Sequence, residues 1–256
     1  MTPEQTVRGV AGPVGRLGGA WMFDAGTAAR GTELGLGVWS WYHCGRGGVL
    51  GDCDPAVLVA AFGFFPPALQ AKAWSKGLAV LPAAEAAREY AAACADWGRR
   101  TLPDDPALAA LLEQAMAAAE VAGLPVFAGW RALLQSSPLT GAGRLALALQ
   151  VAREHRGANH LVAVVAAGIP PLQAVVSGRY GTSNAEFFGW PQPWPDPEAA
   201  REAMLDVETV TDALVRPAYA ALSESERDQL VTGLRALSLP PGSAGPGRTG
   251  RSVPGR

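Results

Sequence analysis

Residues 152–178 constrain the fold of this chain more than any other stretch. Ala152-Arg-Glu-His-Arg-Gly-Ala-Asn-His160 leads into an apolar run, then Gly168-Ile-Pro-Pro171, then a short segment ending at Ser177. The pattern reads as helix, tight turn, helix: the outline of a helix-turn-helix. Yet its second segment, 172–177, holds no Lys or Arg. A helix that reads DNA needs donors for base edges and cations for phosphates. The stretch therefore has the shape of a DNA reader without the charge, and Leu172, Val175 and Val176 read as core.

The rest of the chain is Ala-rich and punctuated by 31 Gly and 21 Pro. Ala favours helix, and Gly and Pro mark its ends. Asp24, Asp54 and Asp105 have N-cap character before helices expected over 25–36, 55–62 and 106–122. Further helices are expected over 67–76, 82–100 and 142–156, followed by the pair 159–167 and 170–177. Asp196-Pro197 opens a long helix to about residue 214, which Pro217 should break or kink. Ser223 and Glu226 have capping-box spacing and open a last helix to about 237. Residues 1–20 are Gly-rich and weakly patterned. The segment 44–51, with four glycines, reads as a loop. The segment 178–197 reads as an aromatic, Pro-rich loop, the place where a wing of short strands would lie.

No strand of convincing length emerges. The expected fold is an all-α helical bundle of helix-turn-helix or degenerate winged-helix type. A polar break at 136–143 divides it into an N-terminal helical half, 1–135, and a helix-turn-helix-like half, 136–239. The tail 240–256 is rich in Pro, Gly, Ser and Arg and is expected to be disordered. Phe62-Gly-Phe-Phe-Pro-Pro67 echoes Phe188-Gly-Trp-Pro-Gln-Pro193, 126 residues on, which raises the idea of two similar halves.

Charge argues against a nucleic-acid footprint. The chain is at −2, and three of its 21 basic residues lie in the acid-free tail. Removing them leaves 18 basic against 23 acidic residues, a body near −5. Such a body repels phosphate unless a local patch overrides the mean. Three cysteines, Cys44, Cys53 and Cys94, form no paired framework and suit a reducing compartment. No charged segment precedes an apolar run at the N-terminus, and the longest apolar runs are about half the ~18 residues that span a bilayer. A cytoplasmic protein without membrane contact is expected, and its Ala, Gly, Pro and Arg bias points to a GC-rich bacterial genome.

Some segments carry a family resemblance. They are Glu154-His-Arg-Gly157, His160-Leu-Val-Ala163, Ala167-Gly-Ile169, Arg46 with its Gly-rich turn, and Ala61-Phe-Gly-Phe-Phe-Pro66. Thr211-Asp-Ala-Leu214 and Ala220-Ala-Leu-Ser-Glu-Ser-Glu-Arg227 complete the set. Together they resemble an actinobacterial helix-turn-helix-like family, similar in style to winged-helix regulators of the multiple-antibiotic-resistance type. The resemblance implies an all-helical or winged-helix fold and dimerising C-terminal helices. It implies no particular activity.

Candidate chemistry is sparse. His155 and His160 are five residues apart, so they miss the i, i+4 spacing of a helical metal pair. No His-Glu-x-x-His or Cys-x-x-Cys occurs, and neither metal nor cofactor is expected. Cys44 beside His43 lacks a geometry that would activate a thiol. Gly45-Arg46-Gly47-Gly48 lacks the remaining elements of a phosphate loop. The aromatic set around the Gly- and Pro-rich segments is the best pocket candidate, because loop aromatics beside a few polar groups commonly line clefts. The expected ligand-binding residues are Arg46, Phe64, Trp130, Arg131, His160, Glu186 and Trp190, with Arg131 or His160 fixing the polar end of a small organic molecule. Two other readings compete. One is a DNA-binding regulator, dimeric through 196–237, with Gln173 and Ser177 at bases. The other is an enzyme using His160 or Glu186 for acid–base work.

Overall fold

A computed structural model describes residues 1–239, so the tail expected over 240–256 lies outside the described residues. The described chain is an all-α bundle of thirteen helices and two 3-10 turns, with no strand. In order these are α1 (Pro3–Ala20), α2 (Ala25–Glu33), α3 (Val38–Gly47), a 3-10 turn (Gly48–Leu50), α4 (Pro55–Phe62), α5 (Pro67–Leu78), α6 (Ala83–Thr101) and α7 (Pro106–Ala117). There follow α8 (Pro125–Ser136), α9 (Gly141–Ala166), α10 (Pro171–Ser177), α11 (Gly181–Phe188), a second 3-10 turn (Pro197–Ala200), α12 (Arg201–Ala220) and α13 (Glu224–Ala236).

Helix α9 is the axis of the molecule. Its residues Leu145 to Ala152 are all buried, as expected of a helix that is apolar all round. Helices α1, α6, α7, α8 and α12 pack around it. One hydrophobic cluster runs from Val7 to Leu237 and crosses the 135/136 boundary. No single helix among the described residues is long and apolar enough to cross a membrane.

Several local expectations change. The Gly-rich segment 1–20 is a capped helix: Thr2 and Gln5 form a reciprocal capping box, and Pro3 stands in the first turn. The glycines of 45–48 serve close packing rather than a loop. A Cβ at Gly45 would meet the Tyr90 ring at 2.4 Å, and one at Gly48 would come within 2.1 Å of the Ala83 carbonyl oxygen. The chain therefore stays helical there so that α3 can approach α6. Gly157 does not break α9; the buried contacts of that helix outweigh the ~1 kcal/mol that an interior glycine costs. Pro217 lies inside α12. The Ala213 carbonyl that loses its partner is on an exposed residue, where water can serve it. Where a wing's strands would lie, the chain forms α11.

The helix-turn-helix outline is present. Helices α9 and α10 meet at 112° across a four-residue break, within the range of that motif. The turn is a Schellman closure: Gly168 N–H donates to Val165 O at 3.0 Å, and Ile169 N–H to Val164 O at 3.2 Å. Gly168 sits at φ +69°, a left-handed position that favours glycine. Ile169 then packs back onto Ala163 and Val164.

Candidate functional site

A cleft of about 560 Å³ opens between α1, the turn after α4, the middle of α9, and the α10–α11 region. One wall is aromatic. Phe23 stacks on Tyr42 with centroids 5.4 Å apart, and meets Phe187 edge-on at the same distance. Phe65 packs on Phe188 at 4.3 Å. The other wall is cationic: Arg16, Arg46, Arg153, Arg156 and Arg179 line it, against Glu154 and Glu208. The local patch thus has the opposite sign to the chain as a whole. Its third side is the small-residue face of α1. A Cβ built on Gly12 or Gly15, both lining the cleft, would meet nothing within 4 Å.

The floor is a buried ion network. Arg46 donates to Glu154 in bidentate fashion, Nε to Oε1 and Nη2 to Oε2, both at 2.8 Å. Its Nη1 donates to the Tyr42 hydroxyl at 3.0 Å, and its guanidinium lies 4.2 Å over the Phe62 ring. Glu154 Oε1 also accepts from Gln150 at 2.8 Å and from Arg153 at 3.0 Å. Burial opposes both charges, but the mutual attraction wins. Arg46 is held above its ordinary pKa despite that burial, by Glu154 and Tyr42. Glu154 is held below the carboxylate range by Arg46, Arg153 and Gln150 against the same penalty.

His160 stands at the rim. Its ring is 5.7 Å from Phe64, and its Nδ1 is 3.3 Å from Thr211 Oγ1 and 3.4 Å from Glu208 Oε1. The Thr211 hydroxyl already donates to Val207 O at 2.7 Å. Nδ1 is therefore the donor to Thr211, and Nε2 keeps its lone pair. Burial lowers the His160 pKa and Arg156 adds to that, with Glu208 opposing.

Of the seven residues expected at a site, the structure brings Arg46, Phe64 and His160 to the cleft. The other four do not line it. Trp130 is fully buried and donates from Nε1 to the Arg46 carbonyl at 2.9 Å, so it steadies α3 from behind. Arg131 caps the end of α7, donating to Ala119 O at 2.7 Å and Met116 O at 3.3 Å. Trp190 ties α11 to the turn after α4 through Nε1 to Phe64 O at 3.0 Å. Glu186 is exposed on α11. Phe23, Glu154 and the glycine face of α1 were the missing members of the set. The capping box at Thr2 and the spacing of Gly12, Gly15 and Gly19 were the signals for the α1 wall. Among the described residues no group of three His, Cys, Asp or Glu could hold a metal ion.

The second helix of the helix-turn-helix faces inward. Ala174 to Ser177 are buried in α10. The Gln173 amide donates to Ser177 Oγ at 2.7 Å and to Asp196 O at 2.8 Å, and the Ser177 hydroxyl donates to Pro197 O at 2.7 Å. The two side chains expected at base edges are thus spent on the second 3-10 turn.

A family model described as "Helix-turn-helix family" matches residues 7–240, nearly the whole chain. No curated protein and no solved structure matches it.

Proposed function

The chain belongs to this helix-turn-helix family, and from that premise we propose that it binds a small organic molecule in the cleft between α1, α9 and α11. One observation carries the reading: a hollow of about 560 Å³ with an aromatic wall and an arginine wall, within the usual size of a ligand site. Phe64 and the rings around Phe65 and Phe187 take the apolar body, and His160 stands at the rim where a polar end would be oriented, over the floor that Arg46 and Glu154 form. The inward-turned α10 fits a regulator scaffold whose contact helix has become part of a ligand chamber.

Native mass spectrometry of the protein purified from its own host is expected to show a retained organic molecule. Gly15→Leu, which would extend a side chain into open space on the cleft face, should abolish that retention. Its melting temperature should stay level or rise, since an interior helical glycine costs up to about 1 kcal/mol. A bare polypeptide mass for the wild type would count against the reading.

The 112° hinge between α9 and α10 favours a second reading, DNA binding. Fluorescence anisotropy with duplex DNA across a salt series tests it. True phosphate contacts lose affinity by about a thousandfold or more between 50 and 200 mM salt when six or more are made. With α10 covered, weak and sequence-independent binding is the expected result.

A further inference from the structure

We infer that the occupant of the cleft is an organic anion with a flat aromatic body, its acid group held between Arg153 and Arg179. This rests on the cleft reading above and names the class of ligand.

The argument is one of unspent charge. Each guanidinium offers five N–H donors in a fixed fork. Arg46 spends its fork on Glu154 and Tyr42. Arg156 spends its two terminal nitrogens on Asp212 and Glu208, both at 2.7 Å. Arg153 makes one bond, to a Glu154 oxygen that already serves Arg46 and Gln150. Two guanidiniums therefore share one buried carboxylate, and one positive charge is left over at that end of the cleft. Arg179 lines the same cleft and has no acidic partner among the described residues; its guanidinium lies 5.6 Å from the Tyr180 ring centroid. The facing wall is built of phenylalanines, which offer no charge to compensate the arginines.

An anion answers both features at once. A carboxylate or sulfonate matches the planar fork of arginine. An aromatic body attached to it meets Phe23, Phe65 and Phe187 in offset or edge-on contact. A neutral ligand of the same shape would bury the aromatic area and leave the arginine charge unanswered.

The test compares 2-naphthoate with its neutral counterpart 2-naphthamide by ligand-observed NMR titration of the full chain. Naphthoate should bind about tenfold more tightly or better, the scale of one charge-assisted hydrogen-bonded contact. Arg153→Met and Arg179→Ala should each cut naphthoate affinity by about tenfold and leave naphthamide within about twofold. Arg179 is exposed, so its removal does not threaten the fold. Added salt should weaken only the anion. Equal binding of the two probes, unmoved by either substitution, would overturn the anion inference and leave the cleft reading standing. If neither probe binds, both readings fall.

Discussion

Glu154→Ala is expected to destabilise the protein by about 3–5 kcal/mol, the cost of removing one partner from a buried ion pair. Glu154 is 1 % exposed and accepts from Arg46, Arg153 and Gln150. Its loss leaves the Arg46 guanidinium, itself 12 % exposed, without its bidentate acceptor. The cost is one of abandonment rather than of a missing bond: each donor paid its desolvation on folding and recovers nothing. Urea denaturation of the single variants and of Arg46→Met with Glu154→Leu separates the two. The double variant should be clearly less destabilised than the sum of its singles, because replacing both partners by apolar groups removes the stranded charge. Simple additivity would mean that the pair does not act as a unit.

Acid should unfold the protein well before its surface carboxylates account for it. His43 and His155 lie in the core, and burial pushes both down from 6.5 to about 4, with Arg46 adding to the effect at His43 and Arg131 at His155. As pH falls through 6.5, the unfolded chain takes up these protons and the folded one does not. Stability is therefore complete above pH 6.5 and drains as pH falls toward 4. A difference of about 2.5 units corresponds to on the order of 3 kcal/mol for each histidine at the acid end. His160, also lowered, works in the same direction. Glu154, held below the carboxylate range, adds its own loss at still lower pH. The urea midpoint should drop steeply between pH 6.5 and 4.5, and His155→Leu should flatten that slope. A midpoint constant over this window would show that neither histidine is protected from protons in the folded state.

The helix-turn-helix character and the all-α outline of the fold were legible because they depend on local pattern. Asp-Pro and Ser-x-x-Glu signals marked the starts of α4, α7 and α13, and Gly168-Ile-Pro-Pro171 marked the hinge of the helix-turn-helix. These are short-range effects of caps and fixed φ angles. Several of the errors came from glycine. In isolation Gly45, Gly47 and Gly48 read as a loop and Gly12, Gly15 and Gly19 as weak patterning. In the structure Gly45 and Gly48 let α3 touch α6, Gly47 makes room for Leu58 of α4, and Gly12, Gly15 and Gly19 border the open cleft. A missing side chain carries no periodic signal of what will fill its place.

The site divides along the same line. Phe64, Arg46 and His160 were legible because aromatics and charged groups near Gly-rich turns have few local uses. Trp130 and Arg131 share that local signature and face the other way, one buried behind Arg46 and one capping α7. Which side of a helix meets a cavity depends on the neighbour packed against it, and for α9, which carries Glu154 and His160, that neighbour is α1, more than a hundred residues away in sequence. By itself the chain determined that it would be helical, where most helices begin, and that the α9–α10 hinge would carry an uncharged second helix. Only the tertiary structure decided that five arginines converge on one hollow in an otherwise acidic chain, because charge is summed over distance in space rather than along the sequence.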